Sequence, residues 1–356
     1  MRPTFVEIDL DAVSRNVATI SEWISPSRFC VVVKADGYGH GDVPVAEAAI
    51  RAGATWVAVA LVEEGIRLRE AGISAPILVL SEPSPGAAED IIRWELTPTV
   101  YTERFLGALA GTGGRTAVHV KVDTGMHRVG VPPDELSFLL ASAKSHRSLE
   151  LEAVWTHFPV ADEDPTYTDR QIERFFGLID GLDVGMVHLA NTAGAILYPE
   201  ARADMCRIGL GTYGLHPAPA TRDKVEIYPA MRMVSRVTHL QRLGAGERPS
   251  YGRVRPLPRA ATVATVPVGY ADGFPRGRTG EVLIGGARHP LAGRVTMDQI
   301  LVDVGDQDVS IGDEVVLLGT QGGEEVTADD WAIDLRTISW EVICTVGPRV
   351  PRRYQS

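Results

Sequence analysis

The stretch that decides the fold is Phe29-Cys30-Val31-Val32-Val33-Lys34-Ala35-Asp36-Gly37-Tyr38-Gly39-His40-Gly41. Its apolar, β-branched opening reads as a buried strand, Phe29–Val33, and the glycine-spaced segment after Lys34 reads as the exit turn. A segment of helical period, Val43–Ala52, follows at once.

The same strand-then-helix unit recurs outward from there. Further candidate strands are Trp56–Ala60, Ile77–Leu80, Thr97–Val100, Val118–Val122, Leu151–Trp155, Met186–Leu189 and Met205–Ile208. Between them lie amphipathic segments such as Val62–Ala71, Glu135–Lys144 and Thr168–Ile179. Strands that alternate with helices imply right-handed crossovers and a parallel sheet. Eight units over roughly 200 residues suit a (β/α)8 barrel, with a doubly wound sheet as the alternative.

The texture changes after residue 225. Met233–Gln241, Ala261–Pro267, Glu281–Ile284, Gln299–Val304 and Glu314–Leu318 follow one another with Gly/Pro/Asp turns, and no long helical pattern intervenes until Ala328–Ile338. Thr4–Asp9 is also strand-like. The expected organisation is a barrel over residues 11–222 and a mainly antiparallel β domain from residues 1–10 and 223–356, with Pro217–Pro219 as a linker.

Of the 356 residues, 45% are hydrophobic and 23% charged, the balance of a soluble globular protein. The formal net charge of -11 repels phosphate backbones, so nucleic acid is not an expected partner. Met1–Leu10 lacks the apolar core of a signal peptide, and no apolar run approaches the ~20 residues of a membrane span. The expected compartment is the cytoplasm. Cys30, Cys206 and Cys344 are odd in number, far apart and set in apolar stretches, so all three read as buried free thiols. His157 and His188 stand at strand ends, but no clustered carboxylate–histidine pattern supports a metal site.

In a barrel, the C-terminal ends of the strands face the active site. A lysine leaving an apolar strand there is partly desolvated, which favours its neutral, nucleophilic amine. Taken alone, Lys34 reads more readily as a solvated lysine in a glycine turn. The glycine spacing differs from a dinucleotide fingerprint, and no Lys-Ser/Thr opens a helix after it.

Val32-Val33-Lys34-Ala35-Asp36-Gly37-Tyr38-Gly39-His40-Gly41 resembles the cofactor-binding segment of alanine racemases. Other segments match in the family's order: Lys121-Val122-Asp123-Thr124-Gly125-Met126-His127-Arg128, Thr156-His157-Phe158, Ala190-Asn191-Thr192-Ala193, Arg207-Ile208-Gly209-Leu210, Pro249-Ser250-Tyr251-Gly252, Gly269-Tyr270-Ala271-Asp272-Gly273, and Gly293-Arg294-Val295-Thr296-Met297-Asp298-Gln299. The resemblance covers nearly the whole chain. It implies an enzyme that interconverts L- and D-alanine with pyridoxal 5'-phosphate held by Lys34, and so supplies D-alanine for peptidoglycan.

Racemisation needs proton-transfer groups on both faces of the α-carbon. By resemblance, Lys34 serves the D-alanine face and Tyr251 the L-alanine face. A phenol needs nearby positive charge to accept a proton near neutral pH. Arg207 resembles the arginine facing the pyridine nitrogen, steadied by His157. A guanidinium does not give up its proton, so the ring nitrogen stays unprotonated and the electron sink stays weak. Tyr38, Thr192 and the amides of Gly209 and Leu210 resemble the family's phosphate donors. Arg128 and the Met297 amide match the substrate-carboxylate site. Lys121 matches a lysine carbamylated in many members, and reads equally as an unmodified lysine in an ion pair. Asp298 and Tyr270 match the lining of the access route. The family's architecture implies a C2 homodimer in which the β domain reaches the partner's barrel mouth.

Two positions depart from the pattern. Pro348, within Cys344-Thr345-Val346-Gly347-Pro348-Arg349-Val350-Pro351-Arg352, stands where some relatives carry a phosphate-contacting tyrosine, so one contact is expected to be absent. His127 stands where small residues are common. The rival readings are a serine or broad-range racemase, separated from an alanine racemase by pocket volume; a barrel decarboxylase, disfavoured by Arg207; and a non-catalytic cofactor carrier, disfavoured by the β domain.

Overall fold

Strand β1 (Phe5–Asp9) buries Val6 and Ile8 between half-buried neighbours and runs straight into the helix Leu10–Ile24. That helix turns Val13, Val17, Ile20 and Ile24 inward, the spacing of one apolar face. The structure is a computed structural model and describes residues 2–355.

Eight strands follow: β2 (Arg28–Val32), β3 (Trp56–Val59), β4 (Ile77–Val79), β5 (Thr97–Val100), β6 (Thr116–Lys121), β7 (Leu149–Trp155), β8 (Met186–His188) and β9 (Met205–Ile208). They pair in parallel in the order β8-β7-β6-β5-β4-β3-β2-β9. The two ends of that sheet meet: the Asp204 amide donates to the Val187 carbonyl at 3.0 Å, and the Arg207 amide to the Ala190 carbonyl at 2.9 Å. The result is a nearly closed (β/α)8 barrel. Helices outside and side chains inside bury both faces of each strand, which is why the strands read as continuous apolar runs. Helix Pro165–Ile179 shows how local chemistry sets the crossovers. Pro165 opens it, and the Asp164 carboxylate accepts from the Tyr167 amide at 3.0 Å.

The C-terminal half is built from β10 (Met231–Arg236), β11 (His239–Leu243), β12 (Ala261–Val266), β13 (Glu281–Ile284), β14 (Ala287–Pro290), β15 (Ile300–Gly305), β16 (Glu314–Gln321), β17 (Glu324–Val326) and β18 (Arg352–Gln355). One sheet has the order β14-β13-β16-β10-β1-β18, with β17 on β16, and a second is β11-β12-β15. All pairings are antiparallel except β1 with β18.

The expected strand Met233–Gln241 is two strands in different sheets. The chain switches partner at Val237, whose amide donates to the Asp313 carbonyl, and Thr238, whose amide donates to that of Thr265. The expected helix Ala328–Ile338 stops at Leu335, where Arg336 takes a left-handed conformation (φ 56°), and a second helix runs Ser339–Cys344. Cys30 and Cys206 are buried, but Cys344 is exposed, because that second short helix ends there facing outward.

The chain divides into two compact units. One comprises Asp11–Gly37 and Gly41–Tyr228; the other comprises the residues up to Leu10, Tyr38–His40 and those from Pro229 onward. Residues 223–228 stay with the barrel, where Asn16 accepts from the Tyr228 amide at 2.8 Å and donates to its carbonyl at 2.9 Å.

Candidate active site

Lys34 is half-buried at the end of β2, and the backbone beyond it is unusual. Ala35 (φ 54°, ψ 51°), Asp36 (φ 54°, ψ 47°), Gly37 (φ 61°, ψ 43°) and Tyr38 (φ 52°) form one turn of left-handed helix. Each non-glycine residue there costs roughly 1–2 kcal/mol, so the surroundings must over-determine the turn. The buried Glu64 carboxylate accepts the Ala35 amide at 2.7 Å, and its other oxygen accepts the amides of Ala60 and Leu61 at 2.8 and 3.1 Å. The Gly41 amide closes on the Asp36 carbonyl at 2.8 Å. Asp42, which opens the next helix, accepts from Arg67 Nε at 2.8 Å. Tyr38 is buried, and that burial, with Cys344 adding to it, raises its phenol and keeps it protonated.

The barrel interior supplies a polar layer beneath the mouth. Residues two apart on a strand share a face, so β6 turns both His119 and Lys121 inward; β7 adds Trp155, β8 His188 and β9 Arg207. Both terminal nitrogens of Arg207 are engaged by the protein: Nη1 donates to His188 Nδ1 at 2.6 Å and to the His188 carbonyl at 3.1 Å. Nη2 donates to the carbonyls of Leu189 (2.7 Å) and Thr156 (2.8 Å) and to His157 Nδ1 (3.2 Å). Its guanidinium lies 4.5 Å from the Trp155 ring centre. Burial lowers it to about 10, which still leaves a cation at neutral pH.

His157 stands against the Arg207 guanidinium. Its proton affinity falls well below the usual imidazole value, first through burial and then through Arg207, Arg128, Lys121 and Lys34. It is therefore neutral, and accepts from Arg207. Lys121 donates to the Val129 carbonyl, lies 5.2 Å from the Trp155 ring centre, and is lowered to about 8 by burial and then by Arg128.

The segment that carries Arg128 is stapled at its base. The Val131 amide donates to the Lys121 carbonyl (2.8 Å) and the Asp123 amide to that of Val131 (3.0 Å). Within it, Asp123 Oδ1 accepts the amides of Gly125 and His127, each at 3.0 Å. Gln171 donates to Thr124 Oγ1 and to the His157 carbonyl, tying this loop to the His157 strand end. His127 is left-handed (φ 55°) and exposed, a backbone conformation that favours glycine but that histidine tolerates better than most residues.

Thr192 opens the helix Thr192–Leu197, capped by Asn191, which accepts from the Gly194 amide at 2.9 Å. The Thr192 hydroxyl accepts from the amides of Gly209 (3.2 Å) and Gly211 (3.4 Å), so a hydroxyl and the amides of the 209–211 turn converge. A Cβ on Gly211 would lie 2.9 Å from Thr192 Cγ2 and 2.8 Å from Ile20 Cδ1, so this cradle admits no side chain.

In the β unit, Tyr251, Met297 and Tyr270 are exposed by 69%, 52% and 42%. Their loops are stitched together. The Tyr270 and Ala271 amides donate to the carbonyls of Thr296 and Met297 at 3.0 and 3.1 Å, and Ser250 Oγ donates to the Arg294 carbonyl at 2.6 Å. Two tyrosines and a methionine thus stand exposed on loops braced against one another. Asp298 accepts from Arg349 at 2.8 Å, and Pro348 beside that arginine is exposed.

Among the expected residues, the barrel unit gathers Lys34, Lys121, Arg128, His157 and Arg207 in one group and Thr192, Gly209 and Leu210 in another; the β unit gathers Tyr251, Met297 and Tyr270. Tyr38 is buried with the β unit. Sequence reasoning passed over Glu64 and assigned no role to His119 or His188. His188, with its ring nitrogen at 2.6 Å, is nearer to Arg207 than His157. The inward period-2 placement of His119 with Lys121 was the available signal for one of them.

A nearly closed parallel barrel with a lysine at its mouth, buried cations beneath it and an appended antiparallel unit defines a barrel-type amino-acid racemase. The model of the alanine racemase N-terminal domain matches residues 8–217, and that of the C-terminal domain matches residues 230–354. The chain belongs to the alanine racemase family. It is 46% identical to the alanine racemase of Symbiobacterium thermophilum over 99% of this chain and 97% of that one, and 40% identical to that of Halothermothrix orenii over 100% and 97%. The crystal structure of alanine racemase from E. faecalis superposes with a TM-score of 0.96 at 38% identity, covering 99% of this chain and 98% of that one. The alanine racemase of Bacillus anthracis with bound L-Ala-P superposes with a TM-score of 0.94 at 37% identity, covering 100% and 96%.

Proposed function

We propose that this chain racemises alanine with pyridoxal 5'-phosphate in the cytoplasm, as a homodimer with shared sites, and so supplies D-alanine for peptidoglycan. The observation that carries this reading is Arg207, a buried cation held by His188 and His157, on the strand that pairs with β2, which leads into Lys34. An anionic cofactor and a carboxylate substrate both suit such a mouth. The Thr192 hydroxyl with the Gly209 and Leu210 amides would hold the phosphate, together with Tyr38, and Arg207 would face the ring nitrogen. Pyridoxal phosphate, when bound, supplies the delocalisation that makes the α-proton removable.

The protein's part is proton handling and orientation. Lys34 holds the cofactor and moves a proton on the D-alanine face. Tyr251 of the partner subunit does so on the L-alanine face. Arg128, which a carbamylated Lys121 would steady, grips the substrate carboxylate, and the Met297 amide of the partner subunit assists. Arg207 keeps its proton, which limits charge withdrawal and favours racemisation over side reactions. The exposed platform of Tyr251, Met297 and Tyr270 supports a two-fold assembly. Among the described residues, no helix is long and apolar enough to cross a membrane.

The test follows optical rotation of L-alanine, with L-serine alongside, using the cofactor-loaded protein and its Tyr251→Phe variant. Wild type should abolish the rotation of L-alanine, and the variant should not. Normal racemisation by the variant contradicts the two-base assignment.

A further inference from the structure

Behind Arg207 runs a line of buried polar side chains that the proton transfers do not use. His188 Nε2 lies 3.0 Å from His119 Nδ1, and His119 Nε2 lies 3.1 Å from Glu152 Oε2. Both imidazoles are fully buried, and the Glu152 side chain is 30% exposed. A guanidinium only donates, and this fixes the direction of the whole line. Arg207 donates to His188 Nδ1, so His188 carries its proton on Nε2 and donates to His119 Nδ1. His119 then carries its proton on Nε2 and donates to the Glu152 carboxylate. Burial lowers the proton affinity of both histidines, consistent with neutral rings.

The way Glu152 reaches this line is specific. Val118 pairs with Leu151 and His119 with Ala153, so Glu152 is the extra residue of a β-bulge. A bulge re-aims its side chain, and here it brings a carboxylate to the inward-facing His119. Gly185 (φ +68°) backs the bulge, and a Cβ there would fall on the Glu152 carbonyl. Aromatic rings wall the line: Trp56 lies 5.1 Å from His119, and Trp155 stacks on His188 at 5.3 Å. The hydrogen-bond partners of Arg207 are all neutral, so Glu152 is the anion nearest to it along this line.

We propose that Glu152 is a positioning residue: through His119 and His188 in single tautomers, it fixes the orientation of the Arg207 guanidinium and offsets its buried charge. The functional consequence rests on the reading of Arg207 as the group that faces the cofactor ring. Without the carboxylate, Arg207 would be held less firmly and would act as a stronger donor.

Imidazole 15N correlation spectra of the histidine-labelled, cofactor-loaded, full-length enzyme test this. Wild type should show His119 and His188 protonated on Nε2; a proton on Nδ1 of either ring overturns the proposal. In Glu152→Leu, the His188 signals should move although the two side chains do not touch. The visible absorption band of the bound cofactor should shift, and kcat should fall about tenfold with KM for alanine little changed, as for outer supports behind charged site groups generally. Glu152→Gln, which keeps an acceptor, should recover part of kcat, and Glu150→Gln on the exposed side of the same strand should change nothing. Glu152→Leu with wild-type His188 signals, absorption and kcat, whatever its melting temperature, overturns the proposal. The tautomers are read without substrate, so a protein that binds no pyridoxal phosphate defeats the reading of the site, while the imidazole signals still decide the line itself.

Discussion

The Glu64 carboxylate accepts the amide of Ala35, the residue next to Lys34, at 2.7 Å. That bond fixes the first residue of the left-handed turn, and therefore the point where Lys34 leaves its strand. Two more amides, those of Ala60 and Leu61, converge on the same side chain. Glu64→Gln would keep one accepting oxygen and turn its NH2 group against the remaining amide or pair of amides. The expected loss is about 1–3 kcal/mol of stability, with weaker cofactor retention. Thermal unfolding of the two proteins side by side checks it, and an unchanged midpoint would contradict the support assigned to Glu64.

Lys121, lowered to about 8 by burial, has a neutral amine available for carbamylation. A depressed lysine loses its proton as pH rises through the lowered value, so the neutral fraction grows from about a tenth at pH 7 to about nine tenths at pH 9. With 13C-bicarbonate near pH 8, wild type should give a carbamate carbonyl signal that Lys121→Arg lacks. Its absence from wild type would favour an unmodified lysine.

Arg207→Lys keeps the charge but not the fork. An ammonium has three donors on one atom and cannot reach His188, His157 and the three carbonyls together. The acceptors left unpaired should cost about 1–3 kcal/mol, and kcat should fall by at least tenfold. Racemase assays with calorimetry of the variant measure both; a fully active, equally stable variant would show that charge alone suffices.

Pro348 offers neither hydroxyl nor N–H where some relatives are expected to touch the cofactor phosphate. Pro348→Tyr should tighten cofactor binding by about tenfold, the value of one hydrogen bond to a charged group. Equilibrium dialysis of pyridoxal phosphate against both proteins gives the ratio. Equal affinities would mean that the loop cannot deliver the hydroxyl.

Much of this architecture was legible in the chain. The barrel strands announce themselves as apolar runs because both of their faces are buried. Edge strands do not: β14 carries Arg288, β17 two glutamates and β18 two arginines, and backbone pairing alone makes them strands. The turn after Lys34 was visible mainly through its glycines, since Ala35 and Tyr38 are residues that ordinarily avoid positive φ. Glu152 was hidden for a different reason. A bulge breaks the period-2 rule from which its facing would be inferred, and no spacing pattern reveals a bulge. The chemistry-bearing residues were legible through resemblance, whereas the side chains that hold them in place came from tertiary contacts.

The most direct test of the shared two-base site mixes two defective chains. Lys34→Ala and Tyr251→Phe should each be inactive alone. Unfolded together and refolded as dimers, they should regain about a quarter of wild-type racemase activity, because half the dimers are mixed and each mixed dimer has one intact site of two. If Lys34 and Tyr251 of the same chain formed each site, no mixture would recover activity. No recovery, or a Tyr251→Phe variant active on its own, would contradict the account.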